Sequence, residues 1–409
     1  MSIVPQELFE KLYPGYELIK FELDEEHKEL ILFLEPTNTP KCPRCGSPNV
    51  SIHDTNVRLF KECKILDYIT RVYVVVRRIK CNSCDNTTTE KVPFANDNNF
   101  RVTKRLTNTI IDELEQSSTI KDVAFRYQVG WDTVKDIHKR YLQSIIFFHL
   151  GNARILAIDE ISIKRGHTYA TVIIDLLARR VLWVLKGKQN TDVNKFFKLC
   201  GKLGCEQIEA VAMDQNAGFA SCVNRFCKNA VVVYDLFHML ANFGRTVIST
   251  IRLRIANKLK EQGDSAAYSY IKRSRFLLLR KAQNIPESQK PKLKQILSDH
   301  ADLLVAHTLK EMLPDIWHAN SKEEATRLWN GWYSYAMESN VPEVVAFAQS
   351  QNKNYKDGIT NAGLYHIGTS VLEGMNNRIK VLKRLAYGFR DFEYFKLLIM
   401  NTFRGKAIC

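Results

Sequence analysis

Two apolar stretches that each end in an aspartate, Arg154-Ile-Leu-Ala-Ile-Asp159 and Ile208-Glu-Ala-Val-Ala-Met-Asp214, decide the predicted fold of this chain. Apolar runs of this length are typical of buried strands. A carboxylate at the polar end of a buried strand lies at the edge of a sheet, where it can hold a divalent cation. The two stretches therefore predict a metal site at one edge of a sheet.

The residues around these stretches predict a mixed α/β sheet. Strands are predicted at residues 154–163, 168–176, 180–186, 208–214 and 230–235, with helices at 192–203 and 218–227. Three consecutive strands followed by helix, strand, helix and strand form a mixed sheet with helices on both faces, in the ribonuclease-H-like order. In that order the first and fourth strands are neighbours, so Asp159 and Asp214 are expected to meet.

A third acid, Glu373, lies in Ser370-Val-Leu-Glu-Gly-Met-Asn-Asn-Arg-Ile-Lys380, a stretch with helical spacing. Two strand-end aspartates and a helical glutamate suit a two-metal phosphoryl-transfer site. Carboxylate oxygens favour Mg²⁺ or Mn²⁺. We expect Asp159 to bridge two ions, with Asp214 and Glu373 holding one each.

Further polar residues accompany these acids. A solvated role is expected for the nearby acids Glu160 and Asp175. After Glu373, amides and cations follow at helical offsets of three, four, seven and eleven, on one helical face, and are predicted to contact DNA: Asn376, Asn377, Lys380 and Arg384.

The long interval before Glu373 predicts an all-helical, basic insertion over residues 245–360, with the final catalytic helices at 361–409. Such an insertion could hold DNA ends, stack a flipped base on a Trp, or build a dimer. Core packing is the expected role of Trp329 and Trp332.

Cys42-Pro-Arg-Cys45 and Cys81-Asn-Ser-Cys84 are two Cys-x-x-Cys pairs with 35 residues between them. Four thiolates close a tetrahedral structural zinc site. The spacing predicts a zinc ribbon over residues 1–95. The alternative is two unrelated buried cysteine pairs. Cys63 and His53 lie between the pairs and are expected to be spectators.

Residues 100–150 predict a helix-turn-helix. Two short amphipathic helices, 120–127 and 131–140, are joined at Val129-Gly130. The alternative is a plain helical hairpin with a solvated basic face. The second helix is expected to present polar residues outward for DNA: Thr133, Lys135, Asp136, Lys139 and Arg140.

The charge of the chain indicates a polyanionic partner. Its 59 Lys and Arg against 44 Asp and Glu give a net charge of +15. No apolar run approaches the roughly 18 residues of a membrane span, and the start lacks the order of a secretory signal. A cytosolic location without membrane contact is expected, where cysteines rarely form disulfides.

Three motifs resemble those of bacterial insertion-sequence transposases of the ISL-three (ISL3) type. They are Ala157-Ile-Asp-Glu-Ile-Ser-Ile-Lys164, Tyr234-Asp-Leu-Phe-His-Met239, and residues 369–380 followed by Ala386-Tyr-Gly-Phe-Arg-Asp391. That group also carries an N-terminal zinc ribbon and helix-turn-helix, so the similarity extends over almost the whole chain. The resemblance implies a catalytic core whose first part is residues 151–244, and it places His238 close to the active site.

The resemblance implies a DDE-type transposase, in which an Asp-Asp-Glu triad cleaves and joins DNA. Its partners would be double-stranded DNA, as terminal inverted repeats and as target, with a homodimer pairing two ends on the bacterial nucleoid. One alternative is a DNA-binding regulator derived from a transposase, which would not need three acids. Another is a different ribonuclease-H-like nuclease, but the ribbon and helix-turn-helix favour sequence-specific recognition of DNA ends.

Overall fold

The computed structural model describes residues 6–96, 100–164, 168–187, 189–365, 367, 369–385 and 390–405. The chain forms two compact units, Met1–Phe147 and Phe148–Cys409. Within the described residues, no helix combines the length and the apolar character that crossing a membrane requires. Residues 386–389 of the last motif lie outside the described residues.

The first unit begins with a short helix and a mixed five-stranded sheet. These elements are α1 (Gln6–Leu12), β1 (Tyr16–Asp24), β2 (Glu29–Pro36), β3 (Val50–Lys61), β4 (Ile69–Cys81) and β5 (Thr87–Thr89). The strand order is β1-β2-β4-β3, with β5 beside β4; β2 and β4 run parallel, and the other pairs are antiparallel. Alternate residues of a strand point to one face, so Val72, Val74 and Val76 are buried together with Tyr13 and Phe94.

Three helices complete this unit: α2 (Lys104–Glu115), α3 (Ile120–Arg126) and α4 (Trp131–Ile145). Thr103 and Thr119 cap α2 and α3, because each side-chain oxygen accepts the backbone N–H three residues later. The two helices predicted from apolar spacing are therefore present. Their apolar faces share a core formed by Leu106, Ile110, Val123, Val129, Val134 and Ile137.

The second unit contains the predicted mixed sheet. Its strands are β6 (Ile155–Lys164), β7 (Thr168–Asp175), β8 (Arg180–Lys186), β9 (Ala210–Met213) and β10 (Val231–Tyr234), in the order β10-β9-β6-β7-β8. The parallel pairing of β6 with β9 confirms that the first and fourth strands are neighbours. Helices α5 (Asn190–Glu206) and α6 (Ala217–Phe226) pack on the sheet through Phe196, Phe197 and Phe219.

The rest of the second unit is helical. Its helices are α7 (Leu236–Phe243), α8 (Ser249–Glu261), α9 (Ser265–Arg273), α10 (Arg275–Leu279), α11 (Lys290–Asp299), α12 (Ala301–Trp317), α13 (Lys322–Glu338), α14 (Pro342–Asn354), α15 (Lys356–Thr360), α16 (Thr369–Leu385) and α17 (Phe392–Thr402). A π-helical turn, Gly244–Ile248, joins α7 to α8. The buried apolar residues of α7–α15 form one continuous core with those of the sheet.

The tryptophans of the helical segment belong to that core. The rings of Trp329 and Trp332 stack with centroids 5.1 Å apart and are 0% and 1% exposed. Trp332 donates its indole N–H to the Leu309 carbonyl at 2.9 Å. The expected core packing of these two residues is confirmed, so neither ring can stack on a DNA base in this conformation.

His307 is a buried histidine of α12 whose titration should destabilise the fold in acid. Burial, followed by the charge of Lys310, lowers the pKa of His307 to about 4. An unfolded histidine titrates near pH 6.5, so the unfolded chain binds the extra proton as pH falls between these values. Folded stability should therefore fall with pH in this window, by about 2 kcal/mol at pH 5.

Urea unfolding of wild type and a His307→Gln variant at pH 7.5 and pH 5 measures this contribution. The wild type should lose about 2 kcal/mol more than the variant between the two pH values. The same loss in both proteins would mean that His307 does not carry a depressed pKa.

Candidate active site and metal sites

Three aspartates occupy one row across parallel strands, because Asp159 lies within β6 and Asp214 and Asp235 directly follow β9 and β10. The residues that precede Asp159, Asp214 and Asp235 are paired with one another across β6, β9 and β10. Residues in register on neighbouring strands point to the same face of a sheet. The strand register therefore brings the carboxylates of Asp159 and Asp214 together, although 55 positions separate them in sequence.

Asp159, Asp214 and His238 form a compact cluster, with ligand atoms that all lie within 4.8 Å of one another. His238 Nε2 is 2.9 Å from Asp214 Oδ1. His238 lies in the first turn of α7, and Asp235 caps that helix by accepting the Phe237 N–H at 2.7 Å. The cap fixes the start of α7 and so directs His238 toward the aspartates.

The cluster carries excess negative charge in a partly buried place. Burial raises the pKa of Asp159, and the nearby charge of Asp214 raises it further, against a hydrogen bond from Asn376. Burial also raises the pKa of Asp235. Burial lowers the pKa of His238, but the hydrogen bond and charge of Asp214 outweigh this effect and leave it raised. These shifts reflect negative charge held in a partly buried place, which a cation bound there would offset.

Helix α16 covers the aspartates through Asn376. Asn376 Nδ2 donates a hydrogen bond to Asp159 Oδ2, while Asp159 Oδ1 accepts the Glu160 N–H at 2.7 Å. Two turns after Asn376 on the same helix, Lys383 Nζ donates a hydrogen bond to the Ser162 carbonyl at 2.9 Å. The amide oxygen of Asn376 is buried and has no hydrogen-bond partner among the described residues.

Glu373 lies one turn before Asn376 on α16 and is exposed. Among the described residues, it is not part of the cluster formed by Asp159, Asp214 and His238. The predicted role of Glu373 as a metal ligand therefore stays a prediction. Helical spacing placed Glu373 and Asn376 on one face, but it could not tell which of them would touch Asp159.

The two neighbouring acids have structural roles. Glu160 is half-buried and accepts a hydrogen bond from Asn216 Nδ2 at 3.3 Å. Asp175 is only 4% exposed and accepts the Ala178 N–H at 3.2 Å, at the start of the turn between β7 and β8. The expected solvated role of Asp175 is therefore wrong, because its carboxylate closes that turn.

The four predicted cysteine ligands lie together in the first unit. Their sulfur atoms are all within 4.8 Å, with Cys42 and Cys84 3.7 Å apart and Cys45 and Cys81 3.6 Å apart. A tetrahedron with Zn–S bonds of about 2.3 Å has sulfur atoms roughly 3.8 Å apart. Backbone N–H groups lower the pKa of Cys42 to about 6, which favours the metal-binding thiolate. The sulfur atoms thus have the spacing of a zinc site.

The residues proposed to contact DNA are spread over two helices. On α4, Lys135 Nζ lies 3.4 Å from Asp136 and 3.6 Å from Asp132, and the Arg140 guanidinium lies 4.5 Å from the centre of the Phe100 ring. These two cations therefore have partners within the protein. Of the DNA contacts predicted on α16, Asn377, Lys380 and Arg384 are exposed, whereas Asn376 is half-buried.

Asp235 is the site residue that the sequence patterns did not assign. It follows a strand in the same way as Asp214, and it lies in the motif that also contains His238. This position after a strand, within the same motif as His238, was the sequence signal that could have identified Asp235. What the sequence did not supply was the register of β9 and β10, which puts Asp235 beside Asp214.

Comparison with known proteins agrees with this geometry. A family model described as a transposase, of the DDE type and family ISL3, matches residues 156–399, and a helix-turn-helix domain of transposase family ISL3 matches residues 90–142. The transposase of insertion sequence element IS1001 from Bordetella parapertussis is 34% identical over 410 residues, which cover 99% of this chain and 100% of that protein.

A second relative is more distant. The transposase of insertion sequence element IS1557 from Mycobacterium tuberculosis is 28% identical over 274 residues, covering 62% of this chain and 61% of that protein. The match to the transposase model spans more than half of the chain, and the first relative aligns from end to end. The chain therefore belongs to the ISL3 family of DDE-type DNA transposases.

Proposed function

We propose that this transposase binds the terminal inverted repeats of its insertion sequence and cleaves and joins DNA through Asp159, Asp214 and Glu373. The catalytic core of this proposal is the ribonuclease-H-like sheet β6–β10 with α5, α6, α16 and α17. The observation that carries it is the convergence of Asp159 and Asp214 beneath the helix that bears Glu373. Acids from two strands and a helix can then surround one phosphodiester.

The donor set at this place fits Mg²⁺ or Mn²⁺. Asp159, Asp214 and Glu373 would hold two ions, and the buried Asn376 amide oxygen is a further hard acceptor without a partner among the described residues. When bound, such ions activate the attacking oxygen and stabilise the leaving oxygen of a phosphodiester. The raised pKa of Asp159 supports this assignment, because a cation would relieve the buried charge.

The chain's own residues prepare the site for the phosphate. Asn376 holds the Asp159 carboxylate in one orientation, and Asp235 fixes the helix start that carries His238. His238 Nε2 faces Asp214 Oδ1 at 2.9 Å, and a proton on this nitrogen would let it donate to a phosphate oxygen as well. His238 is therefore proposed to contact the scissile phosphate.

The first unit would recognise the DNA ends. We assign one structural Zn²⁺ to Cys42, Cys45, Cys81 and Cys84. Sequence-specific contacts are assigned to α4, through the half-buried Thr133, Lys135 and Lys139 and the exposed Arg140. On α16, the exposed Asn377, Lys380 and Arg384 would bind phosphates near the active site. Two chains are expected to act together, because two ends must be paired.

The DNA that flanks the coding region tests the proposal. It should contain matching inverted repeats on both sides, and the purified chain should nick them in Mg²⁺ while leaving a scrambled duplex intact. Binding to the repeats without cleavage in Mg²⁺ or Mn²⁺ would instead favour a regulator derived from a transposase.

Asn376 offers a test of how Asp159 is positioned. An Asn376→Ala variant loses the amide that orients this carboxylate, so the cleavage rate should fall about 10–100-fold with little change in affinity for DNA. Single-turnover nicking and a binding titration separate the two effects. The matched control is Asn224→Ala at an exposed position of α6, which should keep its cleavage rate. If both variants cleave equally well, Asn376 does not position the site.

A further inference from the structure

The helices α8, α9 and α11 form a strongly positive surface that the proposed function does not use. Residues 245–294 contain 13 Lys and Arg but only 3 Asp and Glu, whereas the whole chain has 59 and 44. Most of the excess charge of the protein is thus concentrated in this short segment. The cations that define this basic surface lie on these helices and at the start of α10: Lys258, Lys260, Lys272, Arg273, Arg275 and Lys292.

Aromatic side chains connect the cations of the three helices. Lys260 of α8 and Lys272 of α9 both approach the Tyr268 ring, with Nζ 5.9 and 4.9 Å from its centre. Lys292 of α11 lies 4.6 Å from the centre of the Tyr270 ring on α9. The basic surface is therefore continuous across α8, α9 and α11.

The basic surface is not neutralised from within the protein. In the part of the chain that the structure describes, none of the ion pairs between Lys or Arg and a carboxylate involves its six cations. Nearby Arg254 behaves differently, because it lies 2.8 Å from both Asp302 and Glu343 and holds helices together. Like charges crowded on a surface repel one another until a polyanion binds them.

The surroundings of the Tyr268 and Tyr270 rings indicate which kind of nucleic acid fits this surface. Tyr268 is half-buried and its hydroxyl accepts a hydrogen bond from Lys272 Nζ at 2.6 Å, while Lys292 approaches the Tyr270 ring. Both tyrosines are therefore engaged by lysines and do not form a row of free rings on which unpaired bases would stack. What the surface offers instead is six ammonium and guanidinium groups, of which only Lys292 is half-buried. Such groups suit the phosphates of a duplex, which lie outermost and need no unstacking.

We propose that the basic surface is a second DNA-binding surface, separate from the helix-turn-helix, that binds the backbone of duplex DNA without reading its sequence. It would hold the DNA outside the inverted repeats, either flanking or target DNA. The inference rests on the proposed function in that the substrate is duplex DNA, but it does not depend on the Asp-Asp-Glu assignment.

The test compares two full-length variants with the same change in charge. Lys260→Gln/Lys272→Gln/Lys292→Gln alters the basic surface, and Lys198→Gln/Lys202→Gln/Lys228→Gln alters exposed lysines on or next to α5 and α6. For a duplex without the repeats, the first variant should bind at least tenfold more weakly. The slope of log affinity against log salt concentration should be smaller in magnitude by about 2–3 for this variant, since each phosphate contact contributes roughly 0.9 to that slope. The second variant should match wild type.

A second measurement needs no variant. Acylation of lysine amines, read by mass spectrometry, should show that duplex DNA protects Lys260, Lys272 and Lys292 but not Lys198, Lys202 or Lys228. Equal salt slopes in all three proteins, equal protection of both sets, or an effect confined to single-stranded DNA would overturn the proposal. Neither assay involves cleavage or inverted repeats, so a failure of the proposed function would appear separately, as absent nicking.

Discussion

An Asp159→Asn variant should lose Mg²⁺-dependent cleavage by at least ~10³-fold, which corresponds to about 4 kcal/mol of transition-state stabilisation. The amide keeps the size of the carboxylate; its oxygen can still accept the Glu160 N–H, and its amino group can donate to the unpartnered amide oxygen of Asn376, so the packing should survive. Its neutral charge, however, removes the ligand proposed to bridge two ions. Single-turnover nicking of the inverted repeats measures the loss.

The same variant makes a prediction about stability that separates catalysis from folding. Burial and Asp214 raise the pKa of Asp159, so the ionised carboxylate is unfavourable in the folded chain without a cation. In the absence of divalent ions, the melting temperature of Asp159→Asn should equal or exceed that of wild type. A markedly lower value would mean that the variant lost activity through misfolding.

Glu209 supplies the control for Asp159. It precedes β9 at the opposite end of the same pair of strands, where it accepts a hydrogen bond from Arg154 Nε at 2.6 Å. Glu209→Gln changes the charge by the same amount but should cleave as wild type does, since an exposed ion pair contributes little to stability. Cleavage that survives in Asp159→Asn, or is lost equally in Glu209→Gln, would refute the assigned site.

A Cys42→Ser variant should lose both its zinc and the fold of the first unit. Structural zinc sites contribute about 10–16 kcal/mol of binding free energy, which exceeds the stability of most small domains. Wild type should contain about one zinc per chain. The variant should contain none, and binding to the inverted repeats should fall to the level of a scrambled duplex. Elemental analysis and a binding titration measure the two results.

Cys63 is the matched control, because it lies between the two cysteine pairs but outside their cluster. Its sulfur is half-buried and 3.3 Å from the Thr109 hydroxyl. Cys63→Ser should retain zinc and bind the repeats with wild-type affinity. If wild type purifies folded but free of zinc, or if Cys42→Ser binds the repeats normally, the four cysteines do not form a zinc site.

Local patterns were enough to predict the elements that carry the site. The apolar runs before Asp159 and Asp214 predicted two strands, because a buried parallel strand needs an uninterrupted apolar sequence. The order of strands and helices then predicted that the two would pair. The two Cys-x-x-Cys pairs predicted that the four cysteines would lie together, because thiolates at that spacing can share one ion.

Contacts across the fold could not be predicted in this way. The register of β9 and β10 places Asp235 in the row of aspartates, and the helical phase of α16 against the sheet brings Asn376 rather than Glu373 onto Asp159. Register and phase depend on the packing of elements that are distant in sequence, which periodicity does not record.

The sequence by itself thus determined the strands, their order, the acids that end the apolar runs and the cysteine pairs, because each follows from short-range chemistry. Only the tertiary structure decided the partners of those residues: Asp214 beside His238, Asn376 on Asp159, and the lysines of three helices gathered around Tyr268 and Tyr270. The physical reason is that packing, not spacing, sets which side chains meet across a folded chain.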